Sequence, residues 1–182
     1  MTTDTRFSPP PSASAGSTAF GVSRWAWAKA VMLVTAVAGT LDIIAAHLHI
    51  WAITGHFPGT LFKAIAGGAF GRERAMQGGA EMIAMGLLFH YFISLAFTAL
   101  FFLCYPRVAL LRKNVYAVGV GYALFVSTVM NFLVLPLSAL SASMPNFANK
   151  HTYIGIVVMI TVFGLPIALG AKRFYQRSLA TL

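Results

Sequence analysis

Four long apolar runs, residues 30–53, 82–105, 115–138 and 152–171, constrain this 182-residue chain more than any other feature. Each is long enough to cross a bilayer core, which takes roughly 20 residues of helix. The other spanning solution is a closed barrel, whose strands are shorter and alternate with period two; these runs do neither. They predict an all-α fold, a four-helix transmembrane bundle. Composition agrees, with 58% apolar and 9% charged residues against about 25% charged in soluble domains. That balance excludes a free-standing soluble enzyme and a disordered chain. The single cysteine, Cys104, excludes a disulfide framework and any Cys-x-x-Cys site. No Walker loop, nucleophile elbow or dinucleotide fingerprint occurs.

The flanks divide the chain into three parts. Residues 1–22 are rich in Ser, Thr, Ala and Pro and include Pro9-Pro10-Pro11. Such a segment buries too little surface to offset its ordering entropy, so it reads as a disordered cytoplasmic tail. The run that follows Arg24 and Lys29 is too long for a signal-peptide core and lacks a cleavage site, so it is retained as the first span. Residues 23–174 form the membrane domain, and 175–182 a cytoplasmic C-terminal tail.

Charge sets the expected orientation. Arg6, Arg24, Lys29, Arg107, Arg112, Lys113, Lys172, Arg173 and Arg177 fall on one side, nine in all; Lys63, Arg72, Arg74 and Lys150 fall on the other. The positive-inside rule then places both termini in the cytoplasm of a bacterial inner membrane. Because these residues are scattered singly between apolar runs, the net charge of +9 reads as topology and not as nucleic-acid binding.

The first outer connection, 55–80, is patterned. Phe57-Pro58-Gly59-Thr60 reads as a turn with a Thr N-cap. Leu61, Phe62, Ile65 and Ala69 then recur at helical spacing, with Lys63 off that face, before Gly67-Gly68 and Gly71. This predicts a short interfacial helix at about 60–70, lying on the outer surface or dipping into it. Gly39, Ala46, Gly86, Gly119, Gly121, Gly155 and Gly164 mark expected close approaches between helices. Pro136 and Pro166 predict kinks. Trp25, Trp27 and Trp51 read as belt anchors at the membrane boundary.

Polar groups inside the spans carry what chemistry the sequence offers. Asp42 falls near mid-bilayer, where a charge costs at least ~2.5 kcal/mol and normally faces a partner or water. All five histidines, His47, His49, His56, His90 and His151, fall in the outer half. Asp42 and His49 lie seven residues apart and share a face, from which His47 points away. Gly86, His90 and Ser94 form an i, i+4, i+8 stripe, and Ser127 and Asn131 form another. Asp42, His49, His90, Ser127 and Asn131 are therefore the candidate polar pocket.

Three chemistries fit such a pocket. Asp and His at different depths can relay protons or hold a cation. Asp42, His49 and His90 are residue types suited to a divalent metal. A b-type haem held between His90 and a helix-one histidine is the third. The same side chains also serve as interhelical glue.

Phe57-Pro58, Phe62-Lys63-x-Ile65-Ala66, Phe70-Gly71, His90-x-x-x-Ser94, Gly119-x-Gly121 and Leu135-Pro136-Leu137 together resemble uncharacterised bacterial inner-membrane proteins of the YagU type, over roughly residues 35–172. The last helix differs from that group, being mainly aliphatic over 154–163. The resemblance implies a small integral membrane protein without an established catalytic activity, and adds weight only to His90.

The expected function is therefore non-enzymatic: proton or cation handling at the His/Asp pocket, with a haem-binding redox protein or a structural subunit of a membrane complex as alternatives. The lipid bilayer is the expected partner, along with a second copy or a complex partner docked on the small-residue faces.

Overall fold

The computed structural model describes residues 23–55, 60–139 and 150–180. The N-terminal tail, the Phe57-Pro58 turn and His56 lie outside the described residues. Four helices are long and apolar enough to cross a membrane: α1 (Arg24–Thr54), α4 (Ala80–Cys104), α5 (Val115–Leu137) and α6 (His151–Ser178). Two short helices, α2 (Leu61–Phe70) and α3 (Arg72–Gln77), join α1 to α4. The fold is an all-α four-helix bundle. Its proximal end is where α1 starts and α6 finishes; its distal end carries α2 and α3.

Helix ends follow local chemistry. The α1 terminus closes on Gly55, whose φ of 70° places it in the left-handed region and lets its N–H donate to the Trp51 carbonyl. Asn114 caps α5, its side-chain oxygen accepting from the Tyr116 and Ala117 amides at 3.0 and 3.2 Å. Thr60 precedes α2 without a side-chain capping bond, so its expected N-cap role is not realised. Gly71, at φ 83°, makes the bend between α2 and α3, and Lys63 Nζ donates to the Met76 carbonyl at the end of α3.

The connection is sunk into the bundle. A Cβ on Gly86 would collide with the backbone carbonyl of Phe62, so α2 crosses α4 at a residue about 9 Å along its axis. Ala66 and Gly67 are buried there, and the Phe70 and Phe89 rings lie 5.9 Å apart. Non-helical backbone at this depth needs internal partners. Gly68 near the end of α2 supplies one, accepting from the Ala139 amide at 2.9 Å just beyond α5.

α1 packs against α4 and α6, and α5 packs against α6. The crossings use glycine where side chains would obstruct them. On α1, Gly39 faces Tyr91 and Ser94 of α4; Gly119 of α5 and Gly164 of α6 meet backbone to backbone. Gly121 and Gly155, also expected at crossings, have nothing within 4 Å of an added Cβ, while Gly170, which was not singled out, lies against Val34. Small-residue content alone does not say which side of a helix meets a neighbour.

Both expected kinks take one form. A π-helical turn, Met130–Val134 or Ile160–Gly164, immediately precedes Leu135-Pro136 or Leu165-Pro166. A proline ring clashes with the carbonyl four residues back and has no N–H to donate. The wider turn accommodates both, with the Leu135 and Leu165 amides donating to the carbonyls of Met130 and Ile160.

The bulk of the core fills the proximal half. Val31, Phe101, Phe102, Tyr105, Phe163 and Ile167 are buried together. Trp27 Nε1 donates to Tyr175 Oη at 3.2 Å, and that hydroxyl donates to the Phe102 carbonyl at 2.7 Å. Trp25 and Trp51 stay exposed, while Trp27 is half-buried and turned inward by these bonds. Residues 175–180 continue the last helix, and Phe174 and Tyr175 pack on Phe102 and Tyr105.

Candidate functional site

The interface between α1 and α4 carries a run of polar side chains. On α4, spacing by four puts Gly86, His90, Ser94 and Thr98 on one face; Gly86, Ser94 and Thr98 are buried and His90 is half-buried. On α1, the facing side presents buried Thr35, Ala38 and Gly39 and half-buried Asp42. The His90 ring reaches across, its Nε2 2.8 Å from the Gly39 carbonyl oxygen. A carbonyl only accepts, so Nε2 is the donor in this bond. Asp42 lies within electrostatic reach of His90. Beside them the hydroxyls of Thr40 and Tyr91 are hydrogen-bonded at 2.6 Å.

Two members of this run were not singled out in the sequence. The Oγ1 atoms of Thr35 and Thr98 are buried with no hydrogen-bond partner among the described residues. A threonine in a helix usually bonds the carbonyl one turn back, as Thr54, Thr128 and Thr161 do here. Thr98 continues the Gly86, His90, Ser94 series by one more step of four, so spacing alone could have included it. Thr35 lies four residues before Gly39, a signal too weak to stand out in an apolar run.

The other candidates gather elsewhere. Ser127 and Asn131 of α5 line a cleft of about 520 Å³ with Thr128 of α5 and His151, Thr152 and Gly155 of α6. Asn131 sits in the π-helical turn, where its Nδ2 donates to the Ser127 carbonyl at 2.8 Å. His49 of α1 approaches this cleft, its ring centroid 6.2 Å from that of His151. His151 is half-buried. His47 turns off the interior face: its ring bonds the Ile43 carbonyl one turn back and packs on Phe62 at 5.1 Å.

The five pocket candidates are thus divided between two places, Asp42 with His90 and Ser127 with Asn131, with His49 beside His151 at the second. The single-pocket expectation assumed that α1, α4 and α5 all face one another. Instead α6 packs against both α1 and α5 and brings His151 between their polar faces. Among the described residues, no three His, Cys, Asp or Glu side chains come together as a metal site, so the Asp42, His49 and His90 set does not form one.

The α1–α4 interface thus brings together an acid near the middle of a 31-residue span, an imidazole bonded to a backbone carbonyl and buried threonine hydroxyls. Comparison with known protein families, with curated proteins and with solved structures gave no match in any of the three.

Proposed function

We propose that this chain is a multi-pass protein of the bacterial inner membrane that handles protons at the Asp42–His90 pair and performs no covalent catalysis. One observation carries this reading: a mid-span carboxylate lies within electrostatic reach of the histidine that is tethered to Gly39. A membrane-depth charge is costly, and an Asp–His pair is suited to exchanging a proton. The resemblance to YagU-type proteins supports the same class, a small integral membrane protein without an established catalytic activity.

The reading is tested in liposomes loaded with a pH-sensitive dye under an imposed potassium diffusion potential. The wild-type protein should move protons, and Asp42→Asn should fall to the leak of empty vesicles. Equal flux in the two proteins, or no flux above empty vesicles in the wild type, refutes it. Added divalent cations should leave the wild-type signal unchanged if protons are the species handled.

Orientation is part of the proposal. The nine-to-four basic asymmetry places the proximal end in the cytoplasm. A reporter fused after Lys113 should give a cytoplasmic signal and one inserted near Arg72 an outer signal; the reverse pattern overturns this assignment.

A structural role in a larger assembly is the second reading. The observation favouring it is Gly121, exposed on α5 with open space where a side chain would be, a surface on which another helix can pack closely.

A further inference from the structure

The cleft of about 520 Å³ between the distal halves of α5 and α6 has the size of a small-molecule site, which is about 300–1,000 Å³. Leu124 and Phe132 in its lining are 44% and 48% exposed, so it opens sideways on the surface that lipid covers. Asn131 stands six residues before Leu137, where the span ends, a depth of about 9 Å of helix. Neither Asp, Glu, Lys nor Arg occurs among the described lining residues, and the connecting residues 140–149 carry none in the sequence. A charged head would be buried there with no fixed opposite charge, at high cost. At Gly155 the wall is cut back: an added Cβ would meet nothing within 4 Å.

We infer that this cleft binds an uncharged lipid alcohol, a hydroxyl group on an apolar chain, with the hydroxyl held between Asn131 and Ser127. The Asn131 amide nitrogen donates to the Ser127 carbonyl at 2.8 Å and to Ser127 Oγ at 3.4 Å. A carbonyl only accepts, so the amide atom against it is the nitrogen, and the orientation of the side chain is fixed. Among the described residues this leaves Oδ1 to accept, while the Ser127 hydroxyl, which accepts from Nδ2, keeps its hydrogen to donate. One alcohol oxygen satisfies both groups, donating to Oδ1 and accepting from Ser127. A ketone or ester carbonyl meets only the donor and leaves Oδ1 without a partner, and a carboxylate sets its charge against Oδ1. Asn131 lies in the π-helical turn before Leu135-Pro136, and such turns recur at functional sites. Ile156 and Met159 continue the apolar wall and suit an alkyl or isoprenoid chain entering from the bilayer.

Native mass spectrometry of the detergent-purified full chain tests this with two pairs of probes, dioleoylglycerol and its acetate ester, and farnesol and farnesyl acetate. Esterification keeps the apolar chain and removes the hydroxyl hydrogen. The wild type should retain an alcohol about tenfold better than its ester, the worth of one to two hydrogen bonds. Preference within the first pair identifies the source as a glycerolipid, and within the second as an isoprenoid. Asn131→Leu should weaken retention of that alcohol about tenfold and abolish its advantage over the ester. Gly155→Leu fills the open space while its greater helix propensity protects the fold, and it should weaken retention of the alcohol as well. No preference for the alcohol in either pair overturns the site, as does full retention in Gly155→Leu. If Asn131→Leu does not fold, the wild-type comparison and Gly155→Leu still decide.

Discussion

Gly86→Ala should detach α2 from the bundle. The added methyl would land on the Phe62 carbonyl, and backbone cannot rotate out of the way as a side chain end can. Overpacking of this kind costs about 3 kcal/mol, the upper part of the usual range. The damage should be local, because α2 packs mainly on α3 and α4 at the distal end: Ala66 packs with Ala75 and Met82, Phe70 with Phe89, His47 with Phe62, and Gly68 accepts from Ala139. Hydrogen exchange reads the outcome residue by residue. Amides of 61–70 and of Ala139 should lose protection in the variant, while those of the proximal core, around Phe101 and Ile167, keep theirs. Gly121→Ala is the control. It adds the same methyl where nothing lies within 4 Å, so it should be neutral or stabilise by up to ~1 kcal/mol through helix propensity. If both variants exchange like the wild type, α2 does not rest on Gly86.

The contrast between those two glycines shows how far the sequence could be read. The four spans and the short helix between the first two were legible because bilayer thickness fixes a length and helical periodicity fixes a pattern. Pro136 and Pro166 announced a disturbance, and the structure gives its form as a π-helical turn before each Leu-Pro pair. The pairing of faces was not legible. Every span is apolar around most of its circumference, as lipid requires, so the usual signal of one buried stripe is weak. That is why Gly121 and Gly155 carried the same weight as Gly119 and Gly164, and why Gly170 went unnoticed. The candidate site divided for the same reason. Asp42 and His90 fall on one interface because α1 and α4 pack against each other. Ser127 and Asn131 sit on α5, whose neighbour is α6, and no periodicity within α5 could have said so. The inward turn of Trp27 was equally out of reach, since it depends on Tyr175, 148 residues away.

The pairing of Asp42 with His90 makes the sharpest energetic claim, and it can be separated from ordinary packing. His90→Ala removes two things at once, the partner of Asp42 and the donor to Gly39. Losing a second donor from a carbonyl that its own helix already serves costs about 0.5–1.5 kcal/mol, a penalty that appears whether or not Asp42 is charged. His90→Gln is therefore the better probe, because an amide nitrogen can still donate to the Gly39 carbonyl while the basic ring nitrogen is gone. Combined with Asp42→Asn it completes a cycle that isolates the electrostatic part. Each single variant leaves one member of the pair without its counterpart in a low-dielectric interface, so each should lower the unfolding midpoint in detergent. The double variant removes both members and should cost less than the sum, with a coupling of about 1–3 kcal/mol. Thr128→Val, in the separate α5–α6 cleft where the hydroxyl bonds the Leu124 carbonyl of its own helix, should add independently to any of them. Strict additivity between Asp42→Asn and His90→Gln would mean that the two side chains merely share an interface, and the proton-handling reading would lose the pair on which it stands.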